Sequence, residues 1–193
     1  MTQYYKMPGF TLAGANLSTK VLLTLFLVAV ALGLVVALLQ YGDRAGLSGT
    51  GAVEWIRGNE GDLDAAELKA PKSRRELLAL THDHAFALPM LLFVLLHLVA
   101  LTSVPEGAKI AIYVFGFASL GTALASPWLV AYVGEGWQRA LRASGFGLAA
   151  TIAAATLLPL HEMWLARRMR RLLGRGEPRP VDPLFPSRRG ESG

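Results

Sequence analysis

The stretch that decides the fold runs from Arg74 to Thr102 and reads RRELLALTHDHAFALPMLLFVLLHLVALT. Its apolar part is long enough to cross a hydrocarbon core of roughly 30 Å, which takes about 20 residues. Ser73-Arg74-Arg75-Glu76 has the form of an S-x-x-E capping box, which predicts that a helix begins there. At about 1.5 Å per residue this helix would be roughly 44 Å long, so its first turns are expected in the membrane interface or beyond it.

Three further apolar runs predict an all-α, polytopic membrane protein with a four-helix transmembrane bundle. The predicted spans are about 21–39, 77–102, 108–133 and 138–164, within one transmembrane domain over residues 1–173. The first run is longer than the core of a signal peptide, so we predict that it is retained. Ser18 or Thr19 is expected to cap it. Residues 174–193, rich in Pro and Arg, are predicted to form an extended cytoplasmic tail.

The basic residues predict the orientation. With both termini inside, eleven of the 19 Lys and Arg residues lie on the inner side, and four arginines follow the last span directly. We therefore predict a bacterial-type inner membrane protein with both termini cytoplasmic and an outer loop over residues 41–73. Within this loop, Gly51 to Gly58 (GAVEWIRG) is predicted to be a short interfacial segment anchored by Trp55.

Composition excludes several function classes. The chain has no cysteine, which excludes disulfides, thiolate metal sites, iron–sulfur clusters and covalent c-type haem. The net charge of +5 comes largely from the tail and is interpreted as a topology signal, so no nucleic acid partner is predicted. The outer loop is too short for a second catalytic domain, which argues against a stand-alone enzyme.

All four histidines lie in or beside the spans, where ionisable residues usually mark function. His97 and His161 are each about 20 residues into helices that run the same way, and so at similar depth. Two histidines at matched depth on neighbouring helices are the arrangement that bis-histidine haem ligation needs. We predict one haem b with His97 and His161 as axial ligands of the iron. Small residues that precede His161 indicate either a flat cofactor or ordinary helix packing: Gly145, Gly147, Ala150 and Ala154.

His82, Asp83 and His84 form a second candidate site near the outer interface. On a regular helix His82 and Asp83 lie about 60° and 40° from His97, whereas His84 lies about 140° away. The other spans offer Gln40 and Tyr41, but no histidine, at this depth. We therefore predict that the cluster contacts a quinone or a partner's cofactor, with histidine accepting the proton of a quinol hydroxyl. A polar helix end that meets water is the alternative.

The layout resembles the small four-helix b-type cytochrome anchors of membrane formate dehydrogenases and hydrogenases. That resemblance implies transfer of electrons between haem and quinone, although those families carry two histidines on the last helix and this chain carries one. Arg57-Gly58-Asn59-Glu60, Lys72-Ser73, Arg75-Glu76-Leu77-Leu78 and Thr81-His82-Asp83-His84 together resemble a pattern in uncharacterised membrane proteins that accompany respiratory cytochromes.

Three hypotheses follow from the sequence. The first is a membrane subunit of a respiratory or other electron-transfer complex, which would contact lipids and other subunits, among them a cytochrome. The second is a cofactor-free structural subunit that stabilises a larger complex through its loop and tail. The third is a histidine-based metal transporter, which is disfavoured because no span is clearly broken around a midplane site.

Overall fold

The structure, a computed structural model, describes residues 11–45, 51–61 and 67–166. Four of its five α-helices are long and apolar enough to cross a membrane. The prediction of an all-α fold with four spanning helices is confirmed. The helices are α1 (Leu17–Ala45), α2 (Gly51–Arg57), α3 (Arg74–Ala100), α4 (Glu106–Tyr132) and α5 (Gln138–Trp164), with 3-10 turns at Leu12–Gly14 and Glu135–Trp137. The predicted tail, 174–193, lies outside the described residues.

The first residues of α1 and α3 explain where these helices begin. At α3, Glu76 N donates to Ser73 Oγ (3.3 Å) and Ser73 N donates to Glu76 Oε2 (2.8 Å), so the predicted capping box is confirmed. At α1, Thr19 N donates to Asn16 Oδ1 (3.0 Å). The prediction that Ser18 or Thr19 caps α1 is therefore wrong, because the Asn16 side chain already satisfies the third amide of the helix.

The long helices run alternately up and down. Lys20, at the start of α1, reaches Met163 at the end of α5, whereas Tyr41 near the end of α1 contacts Phe146 near the start of α5. The two ends of the bundle are called here the Lys20 end and, where α2 lies, the α2 end. Because α1 begins and α5 ends at the Lys20 end, the described chain crosses the bundle an even number of times. Which side of the membrane this end faces stays a prediction.

Helix α5 forms the centre of the bundle, since α1, α3 and α4 all pack against it. Its contact with α4 is close because each helix presents a glycine to the other. An added Cβ on Gly116 of α4 would lie 2.7 Å from Thr151 Cγ2, and one on Gly147 of α5 would lie 2.6 Å from Ser119 Oγ. Gly147 therefore serves helix packing, which was one of the two alternatives for the small-residue stripe. The buried core includes Leu27, Leu92, Leu95, Val99, Leu120, Ile152, Ala155 and Met163.

The Lys20 end is fastened by a buried cation. Lys20 is only 8% exposed, and its Nζ donates to Met163 O (2.8 Å) and Ala13 O (3.0 Å). An ammonium at the last turn of α5 also suits the negative end of the helix dipole. In addition, Leu12 N donates to Leu101 O (2.9 Å), which ties the turn before α1 to the end of α3. This end therefore holds α1 against the remaining helices.

Glu162, the residue before Met163 in α5, carries a buried carboxylate. Glu162 is 4% exposed; its Oε2 accepts a hydrogen bond from Ser103 Oγ (2.7 Å), and its Oε1 is buried without a hydrogen-bond partner in the described part of the chain. The basic run that begins at Arg167 follows α5 in the sequence and lies outside the described residues.

Candidate functional site

A partly open cavity of about 290 Å³ lies at the α2 end, and residues of all five helices line it. Its wall is mostly apolar, with a few polar side chains, which is the usual composition of a small-molecule site. The polar and aromatic residues on the wall are Gln40, Tyr41, Trp55, Thr81 and His84. Its apolar part includes Ala37, Ala52, Ile56, Leu88, Leu124 and Leu148.

Tyr41 lines the cavity and carries an unsatisfied polar group. Its ring lies against Phe146 of α5 in an edge-on arrangement, with 6.4 Å between ring centroids. Its hydroxyl is buried and has no hydrogen-bond partner within the described ranges. Leaving a buried hydroxyl unpaired costs about 1–3 kcal/mol, so such groups require an explanation.

Of the predicted outer cluster, only His84 lines the cavity. His84 Nδ1 lies 2.7 Å from Leu80 O, one turn earlier in α3. His82 and Asp83 lie elsewhere: their side chains are 72% and 77% exposed, with 3.4 Å between His82 Nδ1 and Asp83 Oδ1. The His82 ring instead lies 5.1 Å from the Phe86 ring on the outer surface of the helix. Because His84 lies about 140° from His97 around the axis of α3, it lies on the side of the helix that borders the cavity.

Thr81 lines the cavity with its hydrogen bonds already made. Its Oγ1 donates to Leu77 O (2.8 Å) and accepts from Trp128 Nε1 of α4 (2.8 Å). These bonds fix α3 against α4 beside the cavity. Thr81 is therefore part of the frame, and its donor is not available to a ligand.

Trp55 is held against the cavity by the loop between α2 and α3. Gly58 ends α2 with a positive φ of 77°, and the carbonyl of Lys69 would lie 2.6 Å from a Cβ at this position. Asn59 Oδ1 accepts from Lys69 N (2.6 Å), which brings the end of the loop back to α2. Lys72 Nζ then lies 5.2 Å from the centroid of the Trp55 ring, within cation–π range. The resembling motif around Gly58, Asn59 and Lys72 thus closes the loop and fixes Trp55.

The predicted haem ligands lie apart from the cavity. The side chains of His97 and His161 are both exposed, and the His97 ring stacks on Phe93 with 6.1 Å between centroids. On their helices they lie about 160° from Leu95 and about 120° from Ala155, respectively, both of which are fully buried. Both imidazoles therefore face away from the buried core. Haem ligation by this pair stays a prediction.

Sequence reasoning singled out the histidines and left Tyr41 and Gln40 aside. Both had been identified at the depth of the outer cluster, but they were considered only as substitutes for a histidine ligand. The available signal was a polar Gln-Tyr pair at the end of the most apolar run of the chain. This signal is weak, because tyrosine is common where a spanning helix reaches the membrane interface.

Comparison with known proteins gives one family. No curated protein and no solved structure matches this chain. A family model described as a transmembrane helical domain, Aq_1264_TM, matches residues 46–170. The match covers α2 to α5, with the loop that fixes Trp55, and it extends over more than half of the sequence. The chain therefore belongs to the Aq_1264_TM family of transmembrane helical domains.

Proposed function

We propose that this chain is a membrane subunit of an electron-transfer complex and that its cavity binds the headgroup of a quinone-type carrier. The observation that carries the proposal is the cavity wall itself, which is mostly apolar and includes the polar residues Gln40, Tyr41 and His84. The buried Tyr41 hydroxyl has no hydrogen-bond partner among the described residues, and a small shift of this side chain toward a quinone or quinol oxygen would supply one. The proposal retains His84 from the predicted quinone cluster and adds Tyr41.

The size and chemistry of the cavity support a single small ring. A volume of about 290 Å³ is at the lower limit of the usual range for ligand pockets, which begins near 300 Å³. A quinone headgroup combines an apolar ring with oxygens at opposite edges, and so needs apolar walls with a few polar side chains. Its isoprenoid tail would remain in the bilayer. A haem is too large for this volume.

The proposed partners are the other subunits of the complex and the surrounding lipid. In the predicted orientation the α2 end faces the outer side, so the carrier would bind near that surface.

Haem b ligation by His97 and His161 is a separate proposal for the assembled complex. Because both side chains face outward, a haem there would be covered by a neighbouring subunit, and a reduced-minus-oxidised spectrum of the complex with His97→Ala or His161→Ala tests it.

The cavity proposal is tested by titrating the purified full chain in detergent with a decyl-substituted 1,4-benzoquinone. Quinones quench tryptophan fluorescence, and Trp55 lies on the cavity wall. Saturable quenching is expected, and Trp55→Phe should remove most of it while calorimetry still reports binding. Tyr41→Phe should weaken binding by about two- to tenfold, the equivalent of one hydrogen bond.

A steric variant gives an independent check. A Cβ added at Gly145, on the cavity wall, meets nothing within 4 Å, so there is room for a side chain to begin there and Gly145→Leu should fill space in the cavity. It should block the quinone and leave the helical circular dichroism intact. His82→Asn, outside the cavity, is the control and should bind normally. Absence of saturable binding to the wild type would contradict the proposal and favour a cofactor-free structural subunit.

A further inference from the structure

We infer that the cavity binds the hydroquinone form of its carrier more tightly than the quinone form. The inference rests on the proposed function and concerns the oxidation state of the ligand. It is carried by His84, whose hydrogen bond to its own helix fixes which ring nitrogen bears the proton.

The partner of His84 Nδ1 is a backbone carbonyl, Leu80 O, at 2.7 Å. A carbonyl oxygen can only accept, so Nδ1 must carry the hydrogen and donate. In the neutral imidazole Nε2 is then an acceptor only. Nε2 has no hydrogen-bond partner among the described residues, and His84 lies on the cavity wall. The ring therefore offers a ligand an acceptor.

The remaining polar groups on the wall do not share this restriction. The Tyr41 hydroxyl and the Gln40 amide can each donate or accept, so they pair with either form of the carrier. The Trp55 indole can only donate, and the Thr81 hydroxyl already has its partners. The wall thus combines at least one obligatory donor with one obligatory acceptor, Trp55 and His84.

The quinone and hydroquinone forms of the carrier differ in whether their oxygens can donate a hydrogen bond. A quinone carbonyl only accepts, and beside Nε2 it would bring two acceptors face to face. A hydroquinone hydroxyl donates and accepts, so it can satisfy His84 as well as Trp55 and Tyr41. One net hydrogen bond is worth up to about 1.5 kcal/mol, so we expect up to about tenfold tighter binding of the hydroquinone.

Anaerobic calorimetry with the full chain measures both affinities directly. The probes are a decyl-substituted 1,4-benzoquinone and its hydroquinone, both measured at pH 8. His84→Asn keeps a nitrogen donor for Leu80 O and removes Nε2; the amide oxygen that remains lies closer to the helix axis than Nε2, so the tenfold ratio should fall toward one. His82→Asn is the matched control on the same helix and should keep the ratio.

The outcomes separate this inference from the proposed function. Equal affinity for both forms, or tighter binding of the quinone, overturns the inference while the quinone site stands. Binding of neither form overturns the proposed function itself. If His84→Asn does not fold, the dimethyl ether of the hydroquinone provides a second measurement on the wild type. The ether lacks the donor and should bind about tenfold more weakly than the hydroquinone; equal binding would overturn the inference.

Discussion

Replacing Gly116 by alanine should loosen the contact between α4 and α5, the closest helix pair in the bundle. The new Cβ would lie 2.7 Å from Thr151 Cγ2, a distance at which one of the two helices or the threonine side chain must move. The threonine cannot rotate freely, because its Oγ1 donates to Gly147 O (2.8 Å). Relief of the overlap therefore costs either that hydrogen bond or a displacement of α5.

The expected magnitude follows from two opposing terms. Overpacking a tight contact by one carbon typically costs about 1–3 kcal/mol. Replacing glycine by alanine within a helix returns roughly 0.5–1 kcal/mol, because alanine loses less backbone entropy on folding. The net change in the free energy of unfolding should thus be a loss of about 1 kcal/mol, with an upper limit of about 2.5 kcal/mol. Gly121 on the same helix has nothing within 4 Å of its added Cβ, so Gly121→Ala should gain about 0.5–1 kcal/mol.

The assay is unfolding of the purified protein by titration with SDS in mixed micelles, followed by circular dichroism. Thr151→Ser removes the overlapping methyl group and keeps the hydroxyl, so the Gly116→Ala, Thr151→Ser double variant should recover most of the loss. Equal midpoints for Gly116→Ala and Gly121→Ala would refute the packing argument. So would a double variant that is no more stable than Gly116→Ala alone.

Two further predictions concern the ends of the helices. Lys20→Met removes two buried charge-assisted hydrogen bonds and should lower the free energy of unfolding by about 2–4 kcal/mol. The SDS titration measures this loss, and a midpoint equal to that of the wild type would contradict the role of Lys20 in holding α1. Ser73→Ala removes the acceptor for Glu76 N and should cost about 1 kcal/mol, whereas Ser73→Asp should retain most of the stability; no difference between these two variants would contradict the capping box.

Sequence reasoning succeeded where the signal is local. The length of an apolar run fixes whether a helix can span a membrane, and the Ser73 to Glu76 spacing fixes where α3 begins. Both depend on a few consecutive residues, and both were found. The divergence of His84 from His97 also followed, since it requires only the period of a helix.

The face that each helix presents to its neighbours could not be predicted from the sequence. Lipid tails are as apolar as the bundle core, so a membrane helix needs no polar face and its apolar pattern gives little orientation. His97 and His161 were expected to meet because their depths match, whereas depth specifies only one of two coordinates. The second, rotation about the axis, is set by contacts between neighbouring helices, and it leaves both histidine side chains exposed.

The residues that the family model matches and the residues that line the cavity only partly coincide. The family match begins at residue 46, so it includes His84 and Trp55 but not α1, which contributes Gln40 and Tyr41 to the cavity wall. The matched region therefore includes the helices that carry Trp55 and His84, whereas the position of Tyr41 on the cavity wall depends on the docking of α1. Lys20 fastens α1 at the opposite end of the bundle. Quinone affinity should accordingly fall in Lys20→Met as well as in Tyr41→Phe, although Lys20 lies far from the ligand along α1.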